Sequence, residues 1–90
     1  MKNELKNSWD KVTILLENCI VLIDNYDVVQ ILEFINNNEL QLALEDLVEA
    51  GKFKKIENHL YWNNLLTAAQ LMDMNTEKQK ILEIKLNLSN

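Results

Sequence analysis

The chain has no proline, no arginine, one glycine (Gly51), one cysteine (Cys19) and one histidine (His59) in 90 residues. Proline and glycine punctuate hairpins and tight turns, so their scarcity argues against short paired strands. It favours helices joined by short polar connections. A single cysteine cannot close an internal disulfide, which fits a reducing compartment. In its apolar helical setting, Cys19 reads as a small buried residue and not as a nucleophile. A single histidine without grouped partners supplies neither a metal set nor Ser–His or Cys–His catalysis. His59 therefore reads as a half-exposed packing or capping residue. No glycine-rich phosphate loop or GxSxG turn occurs. Asp24, Asp27 and Glu33 lack the spacing and central glycine of a calcium loop. The expectation is a protein that is not an enzyme and has no cofactor and no metal. No apolar run reaches the ~20 residues that span a bilayer, and the start MKNELKNSWD is polar, unlike a signal sequence. A cytoplasmic location is expected.

Basic residues are missing from one long stretch. Between Lys11 and Lys52 there is none, against eight acids: Glu17, Asp24, Asp27, Glu33, Glu39, Glu45, Asp46 and Glu49. Residues 1–50 hold three lysines against ten acids, net −7, and residues 51–90 hold six against four, net +2. A lopsided negative potential repels nucleic acid and anionic membrane and steers basic partners. A solvated acidic surface that serves solubility is the plainer account of the same pattern.

What is present is apolar periodicity. With 48% hydrophobic and 26% charged residues the chain has a globular balance, and its length suits one domain, residues 1–90. Leu5, Trp9, Val12, Leu16, Cys19, Ile20 and Ile23 recur at three- and four-residue spacing and predict a helix from about Asn3 to Ile23. The β-branched run CIVLI is kept helical because a lone strand has nothing to pair with. Asp27, with Gln30 three residues on, has the layout of a capping box for a second helix. That helix turns Val28, Ile31, Leu32 and Ile35 inward and ends at Asn36-Asn37-Asn38. The asparagines suit the left-handed end of that helix and the cap of the next. A third helix, Glu39–Ala50, buries Leu40, Ala43, Leu44, Leu47 and Val48, with Gly51 as its expected stop. A fourth runs from about Ile56 to Met72, burying Trp62, Leu65, Leu66, Ala69 and Met72, with Tyr61 compatible with core. DMN ends it. Thr76 and Gln79 form a second capping-box pattern before a fifth helix that buries Ile81, Leu82, Ile84 and Leu88. The last residues should fray. The predicted fold is all-α: a compact bundle of four to five short antiparallel helices.

Protein recognition is the function class that remains. A DNA-reading helix pair needs basic side chains on its recognition helix, and residues 28–50 have none. A membrane-surface helix wants a basic polar face, absent from the first three helices. On the third helix, Leu42 lies outside the core pattern among Glu39, Glu45, Asp46 and Glu49. That is the layout of an apolar anchor with a charged rim. These five residues are the first candidates for partner binding, with Asp24, Tyr26 and Asp27 second. Glu39 also stands in the first turn of its helix, where a carboxylate is stabilising in its own right.

Residues 31–50, ILEFINNNELQLALEDLVEA, resemble the small helical immunity proteins of bacterial polymorphic toxin systems, including Maf-type and contact-dependent growth inhibition immunity proteins. Those share an apolar helix ending in isoleucine, a short polar turn, and a glutamate opening a helix of the form E-x-x-L-A-L-E-x-L. Here Ile35, Asn36-Asn37-Asn38, Glu39, Leu42, Ala43, Leu44, Glu45 and Leu47 match. LLTAAQLMDMN at 65–75 is similar to their next helix. Leu40 stands where those proteins often have an aromatic residue, and the turn is all asparagine where theirs often holds glycine. The resemblance implies an acidic protein that binds a cognate toxin C-terminal domain, frequently a basic nuclease, and masks its active site or an essential exosite. No nucleic-acid or membrane partner is implied, and the free protein is expected to be a monomer. Two other readings use the same residues. One is a helical adaptor or antitoxin-like regulatory subunit; the other is a homo-oligomer joined through Leu42 and the second stripe of helix one, Ile14 and Val21.

Overall fold

The computed structural model describes residues 2–23 and 26–88. The expectations for Asp24, for the side chain of Leu5 and for fraying of the last two residues fall outside what is described. Five helices and no strand are found among the described residues: α1 (Lys2–Leu22), α2 (Val29–Asn36), α3 (Leu40–Phe53), α4 (His59–Leu71) and α5 (Asn75–Leu86). The all-α reading is correct, and the CIVLI run is helical up to Leu22.

Residue contacts fix the directions of the helices. Cys19, near the end of α1, donates its thiol to the Tyr61 carbonyl at the start of α4. Trp9, near the beginning of α1, shares a hollow with Leu71 and Met72 at the end of α4, so the two run antiparallel. The Leu47 carbonyl and Gly51 of α3 meet Tyr61 and Trp62 of α4, while Gln41 shares that hollow with Leu71; α3 and α4 are antiparallel as well. Lys85 bonds Asn63, which sets α5 antiparallel to α4. Helix α2 packs on α3, and Tyr26 just before it meets Phe53 at the far end of α3.

The core is the predicted one in outline. Val12, Leu16, Cys19 and Ile23 of the first segment, all five predicted residues of α3, and Trp62, Leu65, Ala69 and Ile81 are buried. Trp9, Ile20, Leu66, Met72, Leu82, Ile84 and Leu88 are only half-buried. Leu32 is a correction: it is exposed, and Phe34 packs against the core in its place. The short α2 covers one side of α3 and turns only Ile31 and Ile35 fully inward.

Gly51 is the second correction. It does not stop α3 but lies in its final turn, two residues before the last helical residue, fully covered. A Cβ there would stand 2.7 Å from Trp62 Cη2 and 2.7 Å from Tyr61 Cε1, so the position is glycine because two aromatic rings lie against the backbone. The Tyr61 hydroxyl donates to the Leu47 carbonyl at 2.6 Å, and the Trp62 indole N–H donates to the Ile56 carbonyl at 2.8 Å. The rings meet edge to face at 5.1 Å. Tyr61 is therefore core, and every polar group it brings inward is satisfied.

Three helices end without glycine. Asn38, Lys55 and Asp73 take φ of 61°, 55° and 58°. In each case the residue after the left-handed one donates back five residues: Glu39 to Phe34, Ile56 to Gly51 and Met74 to Ala69. The left-handed residue itself donates back three, to Ile35, Lys52 and Gln70. This paired pattern satisfies carbonyls that the helix leaves open. Asn38 does what the asparagine run predicts. Lys55 ends α3 later than expected, which moves the start of α4 to His59, an exposed residue, with Asn58 capping the Leu60 N–H at 2.8 Å.

The predicted N-terminal caps are corrected too. Asp27 stands one residue outside the N-cap and accepts from Val29 N–H at 3.1 Å, while the N-cap itself, Val28, makes no side-chain bond. Glu39, not an asparagine, is the N-cap of α3, and Met74 is that of α5; neither makes a side-chain bond. Thr76 lies inside the first turn of α5, beside Glu77, which is nearly buried and paired with Lys80 at 3.5 Å. A carboxylate at that end of a helix is held by the exposed backbone N–H groups and the dipole.

Two outcomes follow. Gly51→Ala should lower unfolding free energy by about 1–2 kcal/mol in urea titration, because overpacking against two buried rings outweighs the gain in helix propensity of about 1 kcal/mol. A neutral or stabilised variant would contradict that packing. Lys55→Gly should instead raise stability by about 0.5–1 kcal/mol, and by more than Asn38→Gly, since asparagine already tolerates the left-handed region.

Candidate protein-binding surface

At about 100° per residue, Leu42, Glu45, Asp46 and Glu49 fall opposite the buried positions of α3. The structure places them there. Leu42 is 43% exposed, Glu45 and Glu49 are exposed, and Asp46 is half-buried. Leu42 to Glu49 spans about 10 Å along the axis. Glu39 is exposed at the N-cap one turn before Leu42, its N–H taken by the Phe34 carbonyl. The five first candidates thus share one face. Among the described residues Glu49 alone of the five is in an ion pair, with Lys52 at 3.8 Å and both side chains half-exposed or more. Such a pair holds little energy and yields readily to a partner.

Leu42 is not isolated. It lines an open hollow of about 200 Å³ with Trp9, Asn38, Glu39, Leu40 and Gln41. Trp9 and Gln41 also line a second hollow, of about 190 Å³, with Val12, Leu71 and Met72 among others. These volumes fall short of a ligand pocket and suit single apolar side chains. Trp9 is a member of the surface that the sequence reading assigned to the core alone. Its 9-12-16-19 spacing is that of a core residue, and no sequence signal tells that part of its ring lines these hollows.

The second candidates divide. Asp24 lies outside the described residues. Asp27 is exposed, but its carboxylate is engaged with the backbone of α2. Tyr26 is drawn to the far end of α3, where its ring meets Phe53 edge-on at 6.2 Å. Phe53 is 77% exposed. It continues the 42-46-49 ridge by four residues, a signal hidden by the expectation that Gly51 ends the helix.

The other groups with chemical potential are elsewhere. Cys19 is buried, and burial pushes its thiol up from 9.0 to about 12 against a smaller lowering by Asn64. Burial likewise raises Tyr61, assisted by Cys19 and Tyr26. A thiol held protonated is a packing group and not a nucleophile.

The chain matches no protein-family model, no curated protein and no solved structure.

The raised thiol gives a pH dependence of definite sign. Below about pH 9 folded and unfolded chains both keep the Cys19 proton. Above it the unfolded chain releases a proton that the folded chain holds, so stability falls as pH rises toward 12. Urea midpoints between about pH 8 and about pH 10 should decline in the wild type and decline less steeply in Cys19→Ala. Equal slopes would place the thiol in contact with solvent.

Proposed function

We propose that the chain is an immunity protein that binds and neutralises a cognate bacterial toxin domain, basic and of nuclease type, through the acidic outer face of α3. The observation that carries the reading is the pairing of exposed Leu42 with the Trp9 hollow on a face whose charges are acidic from Glu39 to Glu49. The resemblance of residues 31–50 to small helical immunity proteins supports the identity of the partner. In this mechanism, the negative face accelerates capture of a basic domain, and apolar side chains of the toxin fill the hollows beside Trp9 and Leu42 to slow dissociation. Neutralisation follows from coverage of the toxin's active site or an exosite in the cytoplasm of the producing cell. It requires no reaction by this chain.

The test is recovery from the native host of proteins bound to the tagged chain, at low and at moderate salt. The expected product is the C-terminal domain of a large secreted protein encoded beside this one, retained at moderate salt. Recovery of a housekeeping regulator would replace this reading with the adaptor. Within the recovered complex, Asp46→Lys combined with Glu49→Lys should weaken binding more than tenfold, about 1.4 kcal/mol, with loss of protection in co-expression. Unaltered binding and protection would remove the acidic face from the mechanism.

A further inference from the structure

The two hollows share Trp9 and Gln41 among their lining residues, so they are neighbours. Together they reach from the first turn of α3 to the turn between α4 and α5. Each is lined by an exposed leucine, Leu42 in the first and Leu71, 39% exposed, in the second. Each is also lined by one carboxylate, Glu39 in the first and Asp73 in the second, both exposed. No lysine is among the described residues that line them; Lys11, next to Val12 in the chain, is exposed but lines neither. The open N–H groups of the first turn of α3 amount to about half a positive charge, less than the Glu39 carboxylate in that turn. Asp73 comes from the net-positive half of the chain, so the acidic surface is wider than the base-free stretch.

Neighbouring hollows suit neighbouring side chains. On a helix those are i and i+3 or i+4, about 5–6 Å apart. An extended segment needs a strand edge to take up its backbone groups, and the described residues contain no strand. A helix arrives with its backbone already bonded and has only side chains to place. Flanking positions on such a helix meet Glu39 and Asp73, which basic side chains match and acidic ones do not. This chain has its own apolar pair at that spacing, half-buried Leu82 and exposed Leu86 of α5. Glu83 shares their surface with Lys85, so a second copy is the poorer match.

We propose that the two hollows seat a basic amphipathic helix of the partner, with two apolar side chains one turn apart inserted beside Trp9 and lysine or arginine on its flanks. The inference rests on the proposed function for the owner of that helix, the toxin domain, and extends it by naming the element that docks.

NMR titration of the whole chain with a synthetic peptide tests it. The probe is an alanine-based peptide of about 18 residues, long enough to be helical alone, with two leucines four positions apart and lysines on either side. The Trp9 indole and the amides of Gln41 and Leu71 should shift and saturate, with a dissociation constant below about 1 mM at low salt; the Trp62 indole should not move. Glu39→Gln with Asp73→Asn removes both charges at equal size, and asparagine keeps the left-handed backbone. That pair should weaken binding at least about threefold, a difference that shrinks at about 0.5 M salt. Leu42→Ala with Leu71→Ala should weaken it several-fold while the circular dichroism stays unchanged. The proposal is overturned by no binding, by binding that either pair leaves unaltered, or by equal binding of a glutamate-for-lysine peptide. Equal binding of a peptide broken by a central proline, or the same shifts on concentrating the chain alone, overturns it in favour of an extended segment or a second copy. If the peptide fails while the host still yields a bound toxin domain, the helix falls and the functional reading stands. If the peptide binds and the host yields a regulator, the docking mode stands and the toxin falls.

Discussion

The stacking of Tyr61 and Trp62 against the bare backbone at Gly51 is the constraint on which the rest of the molecule depends. It joins the last turn of α3 to the first turn of α4 without an intervening side chain. It also places two large rings at the centre of a core that ninety residues can scarcely enlarge. Both rings spend their polar atoms locally, the hydroxyl on Leu47 and the indole N–H on Ile56, so the aromatic pair enters the core without orphaned donors. Cys19 of α1 donates to the carbonyl of the same Tyr61, which ties a third helix to the same point. Three helices are thereby registered against one another by a few atoms.

That registration has a consequence for the surface. Because the inner face of α3 is held by α4 and by α2, its outer face is presented in a fixed orientation, with Leu42 at one end, Phe53 at the other and carboxylates between. The base-free stretch of sequence from Val12 to Gly51 becomes, in three dimensions, the second half of α1, all of α2 and most of α3. A charge asymmetry along the chain becomes an asymmetry between faces only because these elements are neighbours. Preorganisation of this kind favours binding, since less side-chain and backbone freedom is lost on contact.

Helix identity and the inner face of α3 were legible from the sequence because apolar spacing is set by burial, and burial on α3 follows a 3.6-residue period from Leu40 to Val48. Boundaries were less legible, for a specific reason. Gly51 reads locally as a stop, and only the rings of Tyr61 and Trp62, ten and eleven residues away, turn it into an interior position. The actual stops are at Asn38, Lys55 and Asp73. Of these, asparagine and aspartate announce their tolerance for the left-handed region, while lysine takes it because the following Ile56 is anchored on the core side. The cap positions slipped by one or two residues because Ser, Thr, Asp and Asn can bond the backbone from several offsets. At the candidate surface, Glu39, Leu42, Glu45, Asp46 and Glu49 were found by the same periodicity read in reverse. Trp9 and Phe53 were not. One packs on the core and also lines the surface hollows, and the other lies on a helix end that tertiary packing extends.

The Trp62 indole N–H reports on the central contact most directly, and hydrogen exchange followed by NMR can time its release. If the clasp over Gly51 organises the fold, that proton exchanges only when the whole domain unfolds, at the rate of the slowest amides of α3 and α4 and far more slowly than the half-buried Trp9 indole. Exchange of the Trp62 proton well ahead of those amides would mean that the ring leaves its site while the helices stay folded. The clasp would then be a passenger of the core instead of its organiser.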